Sequence, residues 1–441
     1  MLRKIEVDGF RSLRNFSFEI RQGLNVLLGT NGAGKTTIVR LFEFISNICI
    51  FSASEAIGRS GGAGEVFDRA TETARRGETQ YLSITVFGDG PERPRNGKNR
   101  NHKKTIAYKY SANIFFDPQK GEVGFGSQEI SIGLFSLTAK AIDHDKLSDL
   151  IIKSKGKEIS VDLSESRDFL DFLGNRKIYF DEVINSQKDI FSEISLISQS
   201  YIFGYLFSRI TIDLHAGRAF NIVPENVKRD EDISTQPIVN PDGSGLAATI
   251  FHLKKPQIED EYRLNFYLNQ FDMYEPDILP RIKSLLKLVN DDIIDIDVEN
   301  RVIENRLQMR ATLRGDGCEF IVPLRYLSDG TVKWLALVTA ILSNRSIFVI
   351  EEPENFLHPR MLSEIVNLLR ASCEKNKNNF ALITTHSETL INLLRPEEIV
   401  LVDFKAGYTM TSAISDTKRL RQIMKKTGFG LGWFYTTGSL G

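Results

Sequence analysis

Gly29-Thr30-Asn31-Gly32-Ala33-Gly34-Lys35-Thr36 lies between the apolar run Leu24-Asn25-Val26-Leu27-Leu28 and a helical pattern that extends from about Lys35 to Ile50. The stretch fits G-x-x-x-x-G-K-[ST], the phosphate-binding loop. Its glycines let the backbone curl until several N–H groups point at phosphate oxygens. A helix that starts where the loop ends adds the positive end of its dipole. Asn31, Gly32, Gly34 and Thr37 belong to the cradle, Lys35 bridges the β- and γ-phosphates of ATP, and the Thr36 hydroxyl holds Mg²⁺. A chance glycine-rich turn would share the letters but not the strand before and the helix after.

Upstream, residues 2–28 read as strands (RKIEVDGF, NFSFEI, LNVLLG) broken by turn-like residues. Downstream of a glycine-rich stretch, GRSGGAGEVF, strand patterns return at YLSITVF, TIAYKYSANIFF and EVGFGSQEISI. Residues 133–290 carry helix-like segments, among them LFSLTAKAIDHDKLSDLII, RDFLDFL and NFYLNQF, with no sustained heptad. Strands resume at IIDIDVE, LQMRATL and CEFIVPL. The final stretch then alternates helix and strand, the pattern of an α/β protein with a parallel sheet. The reading gives an N-terminal lobe (1–132), a helical insertion (133–290) and a C-terminal lobe (291–441). Roughly three hundred residues separate Lys35 from the next acidic motif, far more than a compact phosphate-loop enzyme needs. A globular insertion between two lobes accounts for that distance.

That acidic motif is Ser346-Ile347-Phe348-Val349-Ile350-Glu351-Glu352-Pro353-Glu354, an apolar strand ending in carboxylates. Glu351 is the candidate Mg²⁺ ligand, since hard cations take oxygen. Glu352 is the candidate catalytic base that orients or deprotonates the attacking water. Neighbouring strand residues face opposite sides, so two such roles require the strand to end between them. Leu327-Ser328-Asp329-Gly330-Thr331 precedes the helical run VKWLALVTAIL. Ser328 and Gly330 at a helix start make an anion site, although S-D-G also fits a plain N-cap. His386, in Thr384-Thr385-His386-Ser387 after the strand NNFALI, is a second catalytic candidate, placed to reach the γ-phosphate or the water.

A net charge of -1 leaves no general attraction for nucleic acid, so DNA binding would need a local patch. One exists in sequence: Arg93, Arg95, Lys98, Arg100, Lys103 and Lys104, which also fit a solvated hairpin loop. The 3 cysteines, Cys49, Cys318 and Cys373, have no metal-ligand spacing and read as buried thiols of a reducing compartment. No stretch has the length and apolarity of a signal peptide or membrane span, and the expectation is a cytoplasmic protein.

In this order, the motifs resemble those of the ABC ATPase superfamily, and in particular its SMC-like branch. That branch includes the OLD family, RecF-like repair ATPases and ATPase subunits of anti-phage defence systems. The resemblance rests on GFRSLRNFSFEI, GTNGAGKTT, NPDGSGLAATIFHL, YLSDGT, IFVIEEPENFLHP and ITTHSETLIN. It implies an ABC-type ATPase head, ATP and Mg²⁺ as cofactors, and a head-to-head pair. In that pair, Ser328 and Gly330 of one copy contact the γ-phosphate held by the other. It further implies that Asn355-Phe356-Leu357-His358 crosses the interface, that His386 is the switch histidine and that Arg11 touches phosphate. Gln80, at the start of a strand pattern, is a candidate for the family's Mg²⁺-sensing glutamine. Two functions follow from the branch. One is a defence ATPase controlling a separate effector, a nuclease or toxin. The other is a repair ATPase that clamps DNA. The aromatic tail GFGLGWFYTTGSLG suits docking on a partner or packing on itself.

Overall fold

The computed structural model of the chain describes all residues except 92–103, 137–141, 157, 167–168, 170–190, 199–209, 211–212, 215–216, 255–276, 344–347, 376–378 and 441. It resolves into two compact units. Unit 1 comprises Met1–Arg21, Thr30–Gly217 and Val402–Ser412, and unit 2 comprises Gln22–Gly29, Arg218–Leu401 and Ala413–Gly441.

Unit 1 is built on a 7-stranded antiparallel sheet in the order β2-β1-β4-β5-β6-β7-β8. Its strands are β1 (Leu2–Asp8), β2 (Phe16–Glu19), β4 (Gln80–Pro91), β5 (Lys104–Asp117), β6 (Glu122–Ser136), β7 (Leu150–Lys155) and β8 (Glu158–Leu163). Ile106, Tyr108, Tyr110, Ala112 and Ile114 alternate along β5 and are all buried, as a pleated strand with one covered face requires. Helix α1 (Lys35–Ile50) packs Phe44 against Phe10 and Phe42 against Phe18. The shorter helices α2 (Ala53–Arg59), α3 (Ala63–Val66) and α4 (Glu72–Arg75) follow. Polar groups under the sheet are satisfied. The Tyr110 hydroxyl donates to Gln128 Oε1 (2.8 Å), and Gln128 Nε2 donates to the carbonyls of Phe191 (2.9 Å) and Ile194 (3.0 Å).

The helical reading of LFSLTAKAIDHDKLSDLII is corrected here. Residue 133 falls inside β6, and Leu150 to Ile152 form β7, paired antiparallel with β6 through Ile132↔Leu150 and Ile130↔Ile152. Leu150, Ile152 and Ser154 are buried in alternation, a period of two that the short apolar run concealed in a helical spacing. The segment NFYLNQF lies outside the described residues, as does nearly all of RDFLDFL.

Unit 2 holds five parallel strands in the order β16-β3-β15-β14-β9: β3 (Gly23–Leu28), β9 (Ala219–Phe220), β14 (Phe348–Glu351), β15 (Phe380–Thr385) and β16 (Ile399–Lys405). Apart from the exposed end of β16 (Asp403, Phe404 and Lys405), these runs are largely apolar because both faces are covered. A second, antiparallel sheet contains β10 (Glu231–Asp232), β11 (Ile293–Arg301), β12 (Arg306–Arg314) and β13 (Glu319–Pro323). The helices are α5 (Pro224–Val227), α6 (Leu246–Lys254), α7 (Ile278–Lys287), α8 (Asp329–Ser343), α9 (Pro359–Lys375), α10 (Glu388–Ile391), α11 (Thr417–Thr427) and α12 (Leu431–Thr436). Helix α8 is buried on every side from Thr331 to Ile341, so it is the central helix of the unit. The indole of Trp334 donates to the Leu285 carbonyl at 3.2 Å, which ties α8 to α7. At the start of α6, Glu231 accepts the Ala248 N–H (2.9 Å), and burial pushes this carboxyl above its ordinary range.

Strand β16 continues past Leu401 into unit 1 and turns through Ala406 and Gly407, both at positive φ, into β17 (Tyr408–Ala413). The chain thus has the mixed α/β architecture expected of an ABC-type head, with a parallel sheet and antiparallel strands. No helix among the described residues is long and apolar enough to cross a membrane. Cys49 and Cys373 are buried, and burial pushes the Cys373 thiol up to about 11. Cys318, expected to be buried, is exposed.

Ile383 lies at the middle of the parallel sheet with no exposed surface. Ile383→Ala should cost about 3 kcal/mol, read as a lower urea midpoint of unfolding.

Candidate nucleotide site

The phosphate loop grows from the end of β3, a strand of unit 2, and its curl belongs to unit 1. The Ala33 N–H donates to the Thr30 carbonyl at 3.1 Å, closing a turn. Gly32 (φ 82°) and Gly34 (φ 104°) take left-handed conformations that side-chain-bearing residues avoid. A Cβ added at Gly34 would lie 2.1 Å from Thr409 Oγ1. Thr409 is buried, shares a hydrogen bond with Ser12 Oγ (2.8 Å), and its N–H donates to the Ser12 carbonyl (3.0 Å). The loop therefore rests on β17, a contact that no local pattern around Thr409 announces.

Gly34 is the N-cap of α1 with no side-chain cap, and the first turn of α1 contains no acid. A glycine at this position offers the helix start no capping side chain and no competing carboxylate, which suits an anion. Lys35 is buried, and its ammonium donates to the Thr30 carbonyl at 3.1 Å; Asn31, Gly32 and Thr36 are exposed, and Thr37 is half-buried. The donor set fits a polyphosphate with its divalent cation: N–H groups at a helix start, one ammonium and one hydroxyl.

Nearby in unit 1, Arg14 pairs with Asp68 and lies over the Tyr408 ring, 4.5 Å from its centroid. Arg11 has φ 50° and donates its N–H to Val66. Its guanidinium lies 3.8 Å from Glu65, and burial lowers its affinity for the proton. Gln80 begins β4 opposite Phe116.

In unit 2 three strand ends are flush. Leu28 of β3 pairs with Thr385 of β15, and Thr384 pairs with Glu351, the last residue of β14. The chain leaves the strand at Glu352, which takes φ 41°; its N–H donates to the Thr384 carbonyl at 3.0 Å. The strand therefore ends between the two acids. Glu352 Oε1 is 3.1 Å from His386 Nδ1, and the Asn355 amide reaches Glu352 Oε2 at 3.5 Å. Both members of the Glu352–His386 pair remain open to solvent.

Glu354, to which the sequence assigned no role, anchors the same turn. Its Oε1 accepts from the Thr385 hydroxyl (2.6 Å) and the His386 N–H (3.2 Å), while Oε2 is buried without a partner. Lys333 was also missed. It is 2% exposed on α8, and its ammonium lies 5.8 Å from the Phe356 ring centroid. Burial pushes this lysine down to about 8, against the opposing pull of Glu354 and Glu352. A lone charge inside VKWLALVTAIL was the available signal.

Ser328 caps α8. Its Oγ accepts the Thr331 N–H (3.2 Å) and bonds Thr331 Oγ1 (2.8 Å), while Asp329 pairs with Lys228. A Cβ at Gly330 would meet the Phe356 carbonyl at 2.6 Å, so glycine is what lets the 355–358 turn lie against the start of α8. Phe356 has φ 69° and is exposed. The structure thus gathers Glu351, Glu352 and His386 at the strand ends of unit 2. Asn31, Gly32, Gly34, Lys35, Thr36 and Thr37 form the loop assigned to unit 1. Of the basic stretch, Arg93, Arg95, Lys98, Arg100 and Lys103 lie outside the described residues, and Lys104 begins β5.

The family described as "AAA domain, putative AbiEii toxin, Type IV TA system" matches residues 24–207 and 218–392. The chain belongs to this family. It carries the AAA domain that this description names. A short stretch is 50% identical over 38 residues to the DNA replication and repair protein RecF of Chlorobium phaeovibrioides (strain DSM 265 / 1930). That match spans 9% of this chain and 10% of the RecF protein. The fold is also similar to a crystal structure of an SmcHead bound to the C-winged helix domain of ScpA. That alignment has TM-score 0.47 and 12% identity, and covers 95% of this chain and 99% of the other. For the SMC head domain from Thermotoga maritima the TM-score is 0.39 and the identity 11%, with 94% and 99% covered.

The Lys333 ammonium is disfavoured in the folded state, so its cost is present below about 8 and fades as pH rises towards 10.5, where the unfolded lysine also loses its proton. Lys333→Met should therefore raise the urea midpoint at pH 7. The gain should shrink between pH 8 and 10.5 in parallel unfolding curves.

Proposed function

We propose that this family member binds and hydrolyses ATP with Mg²⁺, works as a pair of copies, and controls a separate effector in prokaryotic defence against phage. The observation that carries the hydrolytic part is the Glu352–His386 pair at 3.1 Å, on strand ends flush with the strand that opens the phosphate loop. Lys35 and the N–H groups at the start of α1 hold the phosphates. Thr36 and Glu351 are the residues that would hold Mg²⁺, which would supply charge neutralisation to the phosphates. Glu352 accepts the proton of the attacking water. His386 orients the Glu352 carboxylate through Nδ1, and Glu354 fixes the backbone of His386. Ser328 and Gly330 act on the nucleotide of the other copy, which makes the pair the catalytic unit. In this reading the N-terminal segment (1–132) and the C-terminal segment (291–441) carry the chemistry, and the protein works in the cytoplasm.

The description of the family, which names a putative toxin and a toxin–antitoxin system, supports a role in a toxic response. A second reading, a repair ATPase that clamps DNA through Arg93, Arg95, Lys98, Arg100, Lys103 and Lys104, is favoured by the RecF match. Co-purification of a distinct effector chain supports the first, and hydrolysis stimulated by DNA ends alone supports the second.

Glu352→Gln should lower the ATP turnover number about a hundredfold or more while nucleotide binding persists. Lys35→Ala should lose binding itself. Steady-state hydrolysis together with fluorescent-nucleotide titration separates the two effects, and a Glu352→Gln protein that turns over ATP at the wild-type rate would refute the assignment.

A further inference from the structure

We infer that α11 and the aromatic pair after it form a binding surface for single-stranded nucleic acid, separate from the nucleotide site. From Thr417 to Gly441 the chain carries no acidic residue, while α11 carries Lys418, Arg419, Arg421, Lys425 and Lys426, all exposed. Arg421 pairs with Glu397 at 2.6 Å; among the described residues the other four make no ion pair. In unit 1, by contrast, Arg40, Arg59, Arg69 and Arg76 each meet a glutamate three or four residues away. Against these cations stand Asp416 at the N-cap of α11 and Glu397, and the excess positive charge is a field that a polyanion can use.

Helix α11 ends at Gly428 in the left-handed conformation (φ 74°), and Phe429 follows at once. Phe429 and Trp433 are exposed, 45% and 39%, and stack with centroids 4.3 Å apart and planes within 13°. Buried Phe434 braces Trp433 edge-on at 5.1 Å, so the pair is fixed from beneath. Lys425 and Lys426 precede Phe429 of this exposed aromatic pair by four and three residues. Phosphates tracking over lysines while a base stacks on an aromatic ring is the chemistry of single-strand binding, and a duplex, whose bases are already stacked, cannot use the platform. An acidic protein segment would use the lysines but would gain nothing from a flat stacked face.

The chain has 2 tryptophans, and Trp334 is buried at 1% exposure, so fluorescence quenching by nucleic acid reports Trp433. The test titrates the nucleotide-free full chain with oligo-dT, oligo-U, duplex DNA and poly-glutamate at several salt concentrations. The expected result is quenching by the single strands, with oligo-dT against oligo-U deciding between DNA and RNA. Trp433→Ala, followed by anisotropy of labelled oligonucleotide, should weaken binding about tenfold. Lys425→Ala with Lys426→Ala should weaken it and reduce the salt slope by about 0.7 per lysine removed. Both changes are on exposed side chains, and the lysine variant tests the surface even if the tail repacks without the indole. Absence of quenching, duplex or poly-glutamate binding as tightly as oligo-dT, or unchanged affinity and salt slope in the lysine variant would each overturn the inference.

Discussion

The parallel pairing of β3, β15 and β14 is the constraint on which the rest depends. Its register sets Leu28 beside Thr385 and Thr384 beside Glu351, so the three strands stop at one level. At that level the phosphate loop begins, the two acids diverge and His386 leaves the sheet. A slip of one residue in β14 would turn Glu351 to the opposite face and bury Glu352 in an apolar layer. The cost of such a slip lies in burying a carboxylate, because the near-continuous apolar runs, covered on both faces, would themselves lose little by it.

Residues of the strand-end turn and of α8 are held at some cost to stability. Glu352 and Phe356 occupy left-handed conformations, and Glu354 keeps one oxygen buried without a partner. Lys333 is buried inside α8, where desolvation disfavours its charged form. Residues kept in conformations and environments they disfavour mark a place where the surrounding packing overrides local preference. Here the overriding element is α8, buried along its length and tied to α7 through Trp334. The same helix begins at Ser328, so the segment that caps α8 and the segment that holds Glu352 are braced against one another through Gly330 and Phe356.

Much of this was legible in the sequence because local pattern and tertiary role coincide there. The loop from Gly29 to Thr36 is written by backbone geometry, and α1 runs from Lys35 to Ile50 as its apolar spacing implies. SIFVIEE and NNFALITT read as strands because both faces of a parallel sheet demand apolar residues. The stretch from 134 to 152 misled, since Leu147, Leu150 and Ile151 suit a helical spacing as well as a strand, and only pairing with β6 decides. Thr409 was invisible because its role is a contact with Gly34, distant in sequence, that leaves no local mark. Glu354 was in view within the motif, yet its task is bonding to Thr385 and His386, which only the sheet register brings near.

The claim that two copies complete each site is tested most directly by mixing two inactive variants. Lys35→Ala removes the phosphate grip, while Ser328→Asp keeps a cap for α8 but sets a negative charge against phosphate. Each variant alone should be inactive. In the mixed pair, one site combines an intact Lys35 from one copy with an intact Ser328 from the other. The account predicts that mixing restores ATP turnover. Two variants that stay inactive together although mass measurement shows them paired, or a Ser328→Asp protein that hydrolyses ATP at the wild-type rate, would contradict it.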